Sequence, residues 1–129
     1  MNTQNKRPLS PHLQIYRLPL NAILSIAHRA SGVILSIGAL VMVLVLAAAA
    51  SSAESYACIY GHLASWYGQI FLLGVTFSLY LHFCNGIRHL FWDVGVGFEL
   101  DTVAKSSKLV IAGTIILTAA TWLTALNAG

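Results

Sequence analysis

The sequence predicts an all-α membrane protein of three transmembrane helices. Three observations carry that expectation. The chain of 129 residues is 57% hydrophobic and only 9% charged, where a soluble domain carries about 25% charged residues. A chain this short cannot hide so much apolar surface in a core of its own. Three stretches, 30–50, 66–87 and 109–129, contain no Asp, Glu, Lys or Arg. About 20 apolar residues cross a hydrocarbon core, and the backbone satisfies itself there only as a helix or a closed barrel. The apolar residues do not alternate, so helices are expected.

The chain reads as a single domain, with spans at about 22–50, 66–92 and 108–128. Residues 1–20 come first. Pro8, Pro11 and Pro19 favour an extended path along the inner surface, suited to docking a soluble partner or to a loose tail. This start has no apolar core, so it is not a secretory signal. It also lacks the run of arginines expected of a transit peptide. The expected location is a bacterial inner membrane rather than the mitochondrial one.

Asn21 is the expected cap of the first helix. Ser51 to Ser65 reads as a loop. Gly95 and Gly97 break the chain after the second span, and Asp101 is expected to cap a short surface turn. Lys6, Arg7, Arg17 and Arg29 precede the first span, and Arg88, Lys105 and Lys108 lie between the second and third. All seven basic residues fall on one side, which is then the inner one. The N-terminus is expected inside and the C-terminus outside. Trp66, Tyr67 and Trp122 would stand in the outer aromatic belt and Trp92 in the inner one. The net charge of +3 brings no nucleic-acid-binding module with it. Cys58 and Cys84 have no metal spacing and are expected as unpaired thiols.

Function concentrates in two polar clusters. In HFCNGIRHLFWD, from His82 to Asp93, the residues His82, Asn85, Gly86 and His89 share one helix face. His82 lies ~9 Å deeper than Arg88 along the helix axis, and an ionisable group inside lipid is a functional candidate. On the first helix, Ser25, His28 and Arg29 are spaced i, i+3, i+4, and Gly32 and Ser36 continue the stripe. Antiparallel neighbours bring both clusters to the same depth. Arg29 and Arg88 are otherwise anchors at the headgroups, His82 and Asn85 interhelical hydrogen-bonding groups, and the glycines points of close packing. A buried imidazole suits an axial ligand of haem iron, with His28, Arg29, Arg88 and His89 towards the propionate edge. Only one histidine is deep enough, so a second axial ligand would come from another chain. A hydroxyl and a guanidinium, Ser25 and Arg29, suit a quinone whose carbonyl oxygens gain negative charge.

The run RPLSPHLQIYRLPLNAILSIAHRAS, from Arg7 to Ser31, and the run HFCNGIRHLFWDVG, from His82 to Gly95, resemble the two signatures of the cytochrome b subunits of succinate dehydrogenase. The paired pattern is Arg-Pro, then Ser-x-x-His-Arg-x-Ser, then His-x-x-x-Gly-x-Arg-His with Asp four residues on. The resemblance covers roughly residues 7–97; the third span agrees only in being apolar. It implies a membrane anchor that forms a bundle with a second anchor subunit, beneath an iron–sulfur subunit and a flavoprotein subunit. Electrons from succinate would reach ubiquinone through iron–sulfur clusters. His82 would be the iron ligand of a haem b shared with the sister anchor. Ser25 and Arg29 would meet the quinone, and His28, Arg29 and His89 would lie at the cofactor. The chain alone would be non-catalytic. A quinol:fumarate reductase anchor is the nearest alternative. A small transporter, relaying protons through Arg29 and His82, or a purely structural subunit would be a different class; no internal repeat or broken helix supports the transporter.

Overall fold

The computed structural model describes Ile15 and residues 17–128. The expected surface segment of residues 1–20 therefore lies largely outside the described residues, as do Lys6, Arg7, Pro8, Pro11 and His12. Four helices follow in order: α1 (Leu20–Ser51), α2 (Ala53–Ala64), α3 (Trp66–Asp93) and α4 (Leu100–Ala128). Among the described residues there is no strand. α1, α3 and α4 are each long and apolar enough to cross a membrane. α3 packs between α1 and α4, and α2 closes the end where α1 finishes and α3 begins.

The helix ends follow local chemistry, with three departures from expectation. Pro19, not Asn21, occupies the N-cap of α1, in an extended conformation and without a side-chain bond. Pro19 thus sets the entry, and the Asn21 side chain is free for a tertiary role described below. Ser51–Ser65 is mostly helix rather than loop. Ser52 breaks α1 at φ −161° and caps α2, accepting from the Ser55 amide at 3.1 Å. Glu54 stands in the first turn, where a negative charge is favourable. Ser55, Ile59 and Leu63 form the half-buried face of α2 at four-residue spacing, while Cys58 is exposed. Asp101 belongs to the first turn of the long α4 and not to a separate surface turn; α4 begins several residues before the expected span.

α3 ends in a Schellman motif. The Val96 amide donates to the Phe91 carbonyl at 3.0 Å and the Gly95 amide to the Trp92 carbonyl at 2.8 Å. Gly95 takes φ +82° and Gly97 φ +89°, conformations open to glycine and strained for other residues. These are the breaks the sequence foretold. At the other end, Ser65 caps α3 by accepting from the Gly68 amide at 3.3 Å. A Cβ on Gly68 would run into the backbone of His62 and Leu63, so the α2–α3 junction requires glycine there.

The interior is small and polar, and the outside is apolar. Buried positions are Leu24, Ser31 and Ala48 on α1, Gly68, Ser78, Asn85 and Arg88 on α3, and Ser107, Val110, Thr114 and Thr118 on α4. Leucines, isoleucines, valines and phenylalanines crowd the exterior. This inversion suits lipid, where apolar side chains gain nothing by hiding and helices associate through close packing and polar contacts. A Cβ on Gly38 would come within 3.0 Å of Val75, and one on Gly113 within 3.3 Å of the Cys84 sulfur. Thr76, Ser107 and Thr114 return their hydroxyls to carbonyls one turn back, which satisfies them without a partner helix.

Candidate functional site

The site lies where α1 begins, α3 ends and α4 begins. α1 and α3 run antiparallel, so His28 and Ser31 meet His82, Asn85 and His89. The His82 imidazole is held through Nδ1, 3.1 Å from the Ser31 hydroxyl and 3.2 Å from the His28 carbonyl oxygen. The Ser31 hydroxyl itself donates to that carbonyl at 2.7 Å. The His28 ring stacks on His82 with centroids 3.9 Å apart and planes 14° from parallel. His89 adds a third imidazole, 5.2 Å from His28 and tilted by 48°. His28 and His82 meet by their faces; among the described residues no three His, Cys, Asp or Glu side chains converge on a bare metal ion.

Two glycines make room. A Cβ on Gly32 would stand 3.4 Å from His82 Cε1, and one on Gly86 would stand 4.0 Å from His28 Cε1. The two histidines therefore sit in notches in opposing helices. His28 Nδ1 is buried and has no hydrogen-bond partner, an unmet donor or acceptor in a region where such groups are costly.

Arg88 departs from the anchor reading, one of the two the sequence left open. It turns inward and is only 6% exposed. Nη1 donates to the Asn85 side-chain oxygen at 3.3 Å, and Nη2 donates to that of Asn21. Its guanidinium lies 4.2 Å from the centre of the Trp92 ring, a cation–π contact that gains strength when desolvated. Trp92 is held in turn by donating to the Gly97 carbonyl at 3.1 Å. Trp92 is thus a floor for Arg88 more than a free belt residue. Arg88 Nε keeps no partner.

Ser25 and Arg29 adjoin this network from the other face. Arg29 is exposed, and its Nη2 donates to Ser25 Oγ at 3.4 Å, a long contact. Ser25 also lines a cavity of about 90 Å³ with Asn21, Asn85, Arg88, His89 and Trp92. The sequence-predicted residues Ser25, His28, Arg29, His82 and His89 are therefore neighbours. The residues the sequence reading passed over are Ser31, which holds His82, and Asn21, which holds Arg88. Ser31 closes the first motif, and Asn21 lies one helical turn before Ser25; those positions were the available signals.

A helical membrane protein of three spans, with imidazoles and a desolvated guanidinium gathered at one end, belongs to the class of membrane subunits that keep a polar site within lipid. Comparison with known proteins then fixes the kind. Residues 3–121 match the family described as succinate dehydrogenase/fumarate reductase transmembrane subunit, and the chain belongs to that family. It is 45% identical over 114 residues to the succinate dehydrogenase cytochrome b556 subunit of Paracoccus denitrificans, covering 88% of each chain. It is 39% identical over 122 residues to the cytochrome b556 subunit of Rickettsia felis, covering 92% of each. The mitochondrial cytochrome b560 subunit of Sus scrofa is 35% identical over 117 residues, 89% of this chain and 69% of that protein. The role of the chain is that of a succinate dehydrogenase membrane anchor, and it partners with other subunits of that complex.

Proposed function

We propose that this chain is the haem b-binding anchor of a bacterial succinate:quinone oxidoreductase. In this reading the N-terminus and the α3–α4 turn face the cytoplasm, the C-terminus faces outward, and the inner membrane is the host. The basic residues on one side support that direction. A second anchor subunit completes the bundle. An iron–sulfur subunit and a flavoprotein subunit dock on the inner face, and electrons from succinate pass through clusters to ubiquinone.

One observation carries the reading. His82 is tethered through Nδ1, and none of the hydrogen bonds among the described residues involves Nε2, while at positions 32 and 86 no side chain of the facing helix presses on the imidazoles. That donor set fits one axial position of a haem. His82 would hold the iron, and His28, Arg29 and His89 would line the propionate side. The unpartnered His28 Nδ1 supports that assignment. A haem b held there would supply a one-electron redox centre within the membrane. His28 meets His82 face to face and does not stand opposite it as a second axial ligand, so in this reading the other ligand comes from the sister anchor.

The residues around Ser25 do separate work. The Ser25 hydroxyl and the Arg29 guanidinium offer donors to a quinone carbonyl, whose oxygen gains charge on reduction. Arg29 is exposed and can reach a ligand at the subunit junction. The same scaffold serves quinol:fumarate reduction, and the family description spans both enzymes; cluster, haem and quinone potentials set the direction.

The test is a reduced-minus-oxidised spectrum of the purified complex carrying His82→Ala. Loss of the b-type signal with all subunits retained is expected. A full signal removes His82 from the iron.

A further inference from the structure

The His82 ring leaves one question that its position alone does not answer: which nitrogen carries the proton. A neutral imidazole has one N–H and one lone pair, and only the lone pair binds a metal. The hydrogen bonds decide it. The His28 carbonyl oxygen accepts and cannot donate, and it lies 3.2 Å from His82 Nδ1. Ser31 Oγ is committed as a donor to that same oxygen at 2.7 Å. What faces His82 Nδ1 from Ser31 at 3.1 Å is therefore an oxygen lone pair. Both neighbours of Nδ1 are acceptors, so Nδ1 holds the proton and the lone pair falls on Nε2.

We propose that Ser31 is a positioning residue for His82: with the His28 carbonyl it fixes the imidazole proton on Nδ1 and presents Nε2 as the ligand. The inference rests on the haem reading for the identity of the metal centre, but the tautomer stands without it. Its geometry is one helical turn of α1. Position 28 supplies a carbonyl, position 31 a hydroxyl and position 32 the absence of a side chain, with His82 Cε1 3.4 Å from where a Cβ would be. Ser31 is 2% exposed, so water does not substitute for it. A hydroxyl that accepts from Nδ1–H makes the ring a stronger electron donor through Nε2, as outer partners of metal-binding histidines do. A stronger donor favours ferric over ferrous iron.

Ser31→Ala, Ser31→Thr and Ser36→Ala in the assembled complex form the test. Ser36 makes the same kind of bond, to the Gly32 carbonyl at 2.9 Å, on an exposed face, and reports the generic effect of losing such a hydroxyl. Ser31→Ala is expected to weaken haem retention about tenfold. It is also expected to raise the ferrous-to-ferric ratio at fixed poise about tenfold, an upward shift of about 59 mV for one electron. Ser31→Thr restores both values towards the parent, and Ser36→Ala leaves both unchanged. Parent-like retention and potential in Ser31→Ala overturn the proposal while leaving His82 as ligand. An equal shift in Ser36→Ala overturns it too. Nitrogen-15 histidine spectra of the complex from haem-starved cells give the independent readout. A proton on Nδ1 of His82 supports the proposal; a proton on Nε2 overturns it. If instead His82→Ala keeps the b-type signal, the haem reading fails, and the nitrogen-15 result still judges the hydrogen-bond network.

Discussion

The two ends of the bundle are built on different principles. At the end capped by α2, helices meet through missing side chains: Gly38 against Val75, and Gly68 beneath the last turn of α2. Between the two ends, Tyr80 and Thr121 share a hydrogen bond of 2.6 Å. At the other end the helices meet through side chains that carry charge or titrate, His28, His82 and Arg88, with the neutral amide of Asn85 accepting from Arg88. The first arrangement is packing, replaceable by other packing. The second buries groups that lipid penalises and keeps most of them bonded, which makes sense where a ligand must be held. The difference shows that, among the described residues, histidines and a charged group inside this bundle are local to the site, while small hydroxyls line the rest of the interior.

Substitutions can break or sharpen that contrast. The largest effect is expected at the ligand end without loss of fold. Ser25→Ala and Arg29→Ala should each lower succinate-driven quinone reduction, by about a hundredfold where the lost group meets developing charge. Steady-state assay on assembled complex, with succinate oxidation by an artificial acceptor as control, checks this; normal turnover in both removes them from the quinone site. Next comes Arg88→Leu, which leaves the Asn21 and Asn85 oxygens without their donor. It should cost about 1–3 kcal/mol and lower the melting temperature of the solubilised complex. An unchanged melting temperature would mean that the buried guanidinium is not a structural tie. Gly68→Ala at the opposite end should cost about 2 kcal/mol, within the range for overpacking. Quinone reduction per assembled complex should not change, and a catalytic defect there would erase the distinction between the ends. The smallest effect belongs to Tyr80→Phe, about 0.6 kcal/mol, the average for an interhelical hydrogen bond in a membrane, measured by the same melting assay.

Much of this was legible in the sequence. Charge-free runs longer than a bilayer needs located α1, α3 and α4, and Gly95 and Gly97 marked the end of α3. The pairing of Ser25, His28 and Arg29 with His82 and His89 followed from helical spacing and antiparallel neighbours. What escaped were features that depend on a partner. For Arg88 the sequence left a headgroup anchor and a site residue equally open, because an arginine at a helix end often snorkels; the opposed Asn21 and the Trp92 face turn it inward. Asn21 looked like a cap because it precedes a helix, but Pro19 already sets the start. α2 was hidden because a short helix between serines resembles a loop until Ser52 and Ser65 are seen capping successive helices. Ser31 was inside a recognised motif, yet a serine among apolar residues announces no partner until the opposing helix is in place.

Cys58 offers a practical return from α2. The two thiols of this chain occupy unlike surroundings: one is exposed on the short helix, while the other is packed against Gly113 in the apolar span. A membrane-impermeant maleimide applied to sealed vesicles should therefore modify a single native position. Right-side-out and inverted preparations would give opposite labelling, reporting sidedness with no engineered tag.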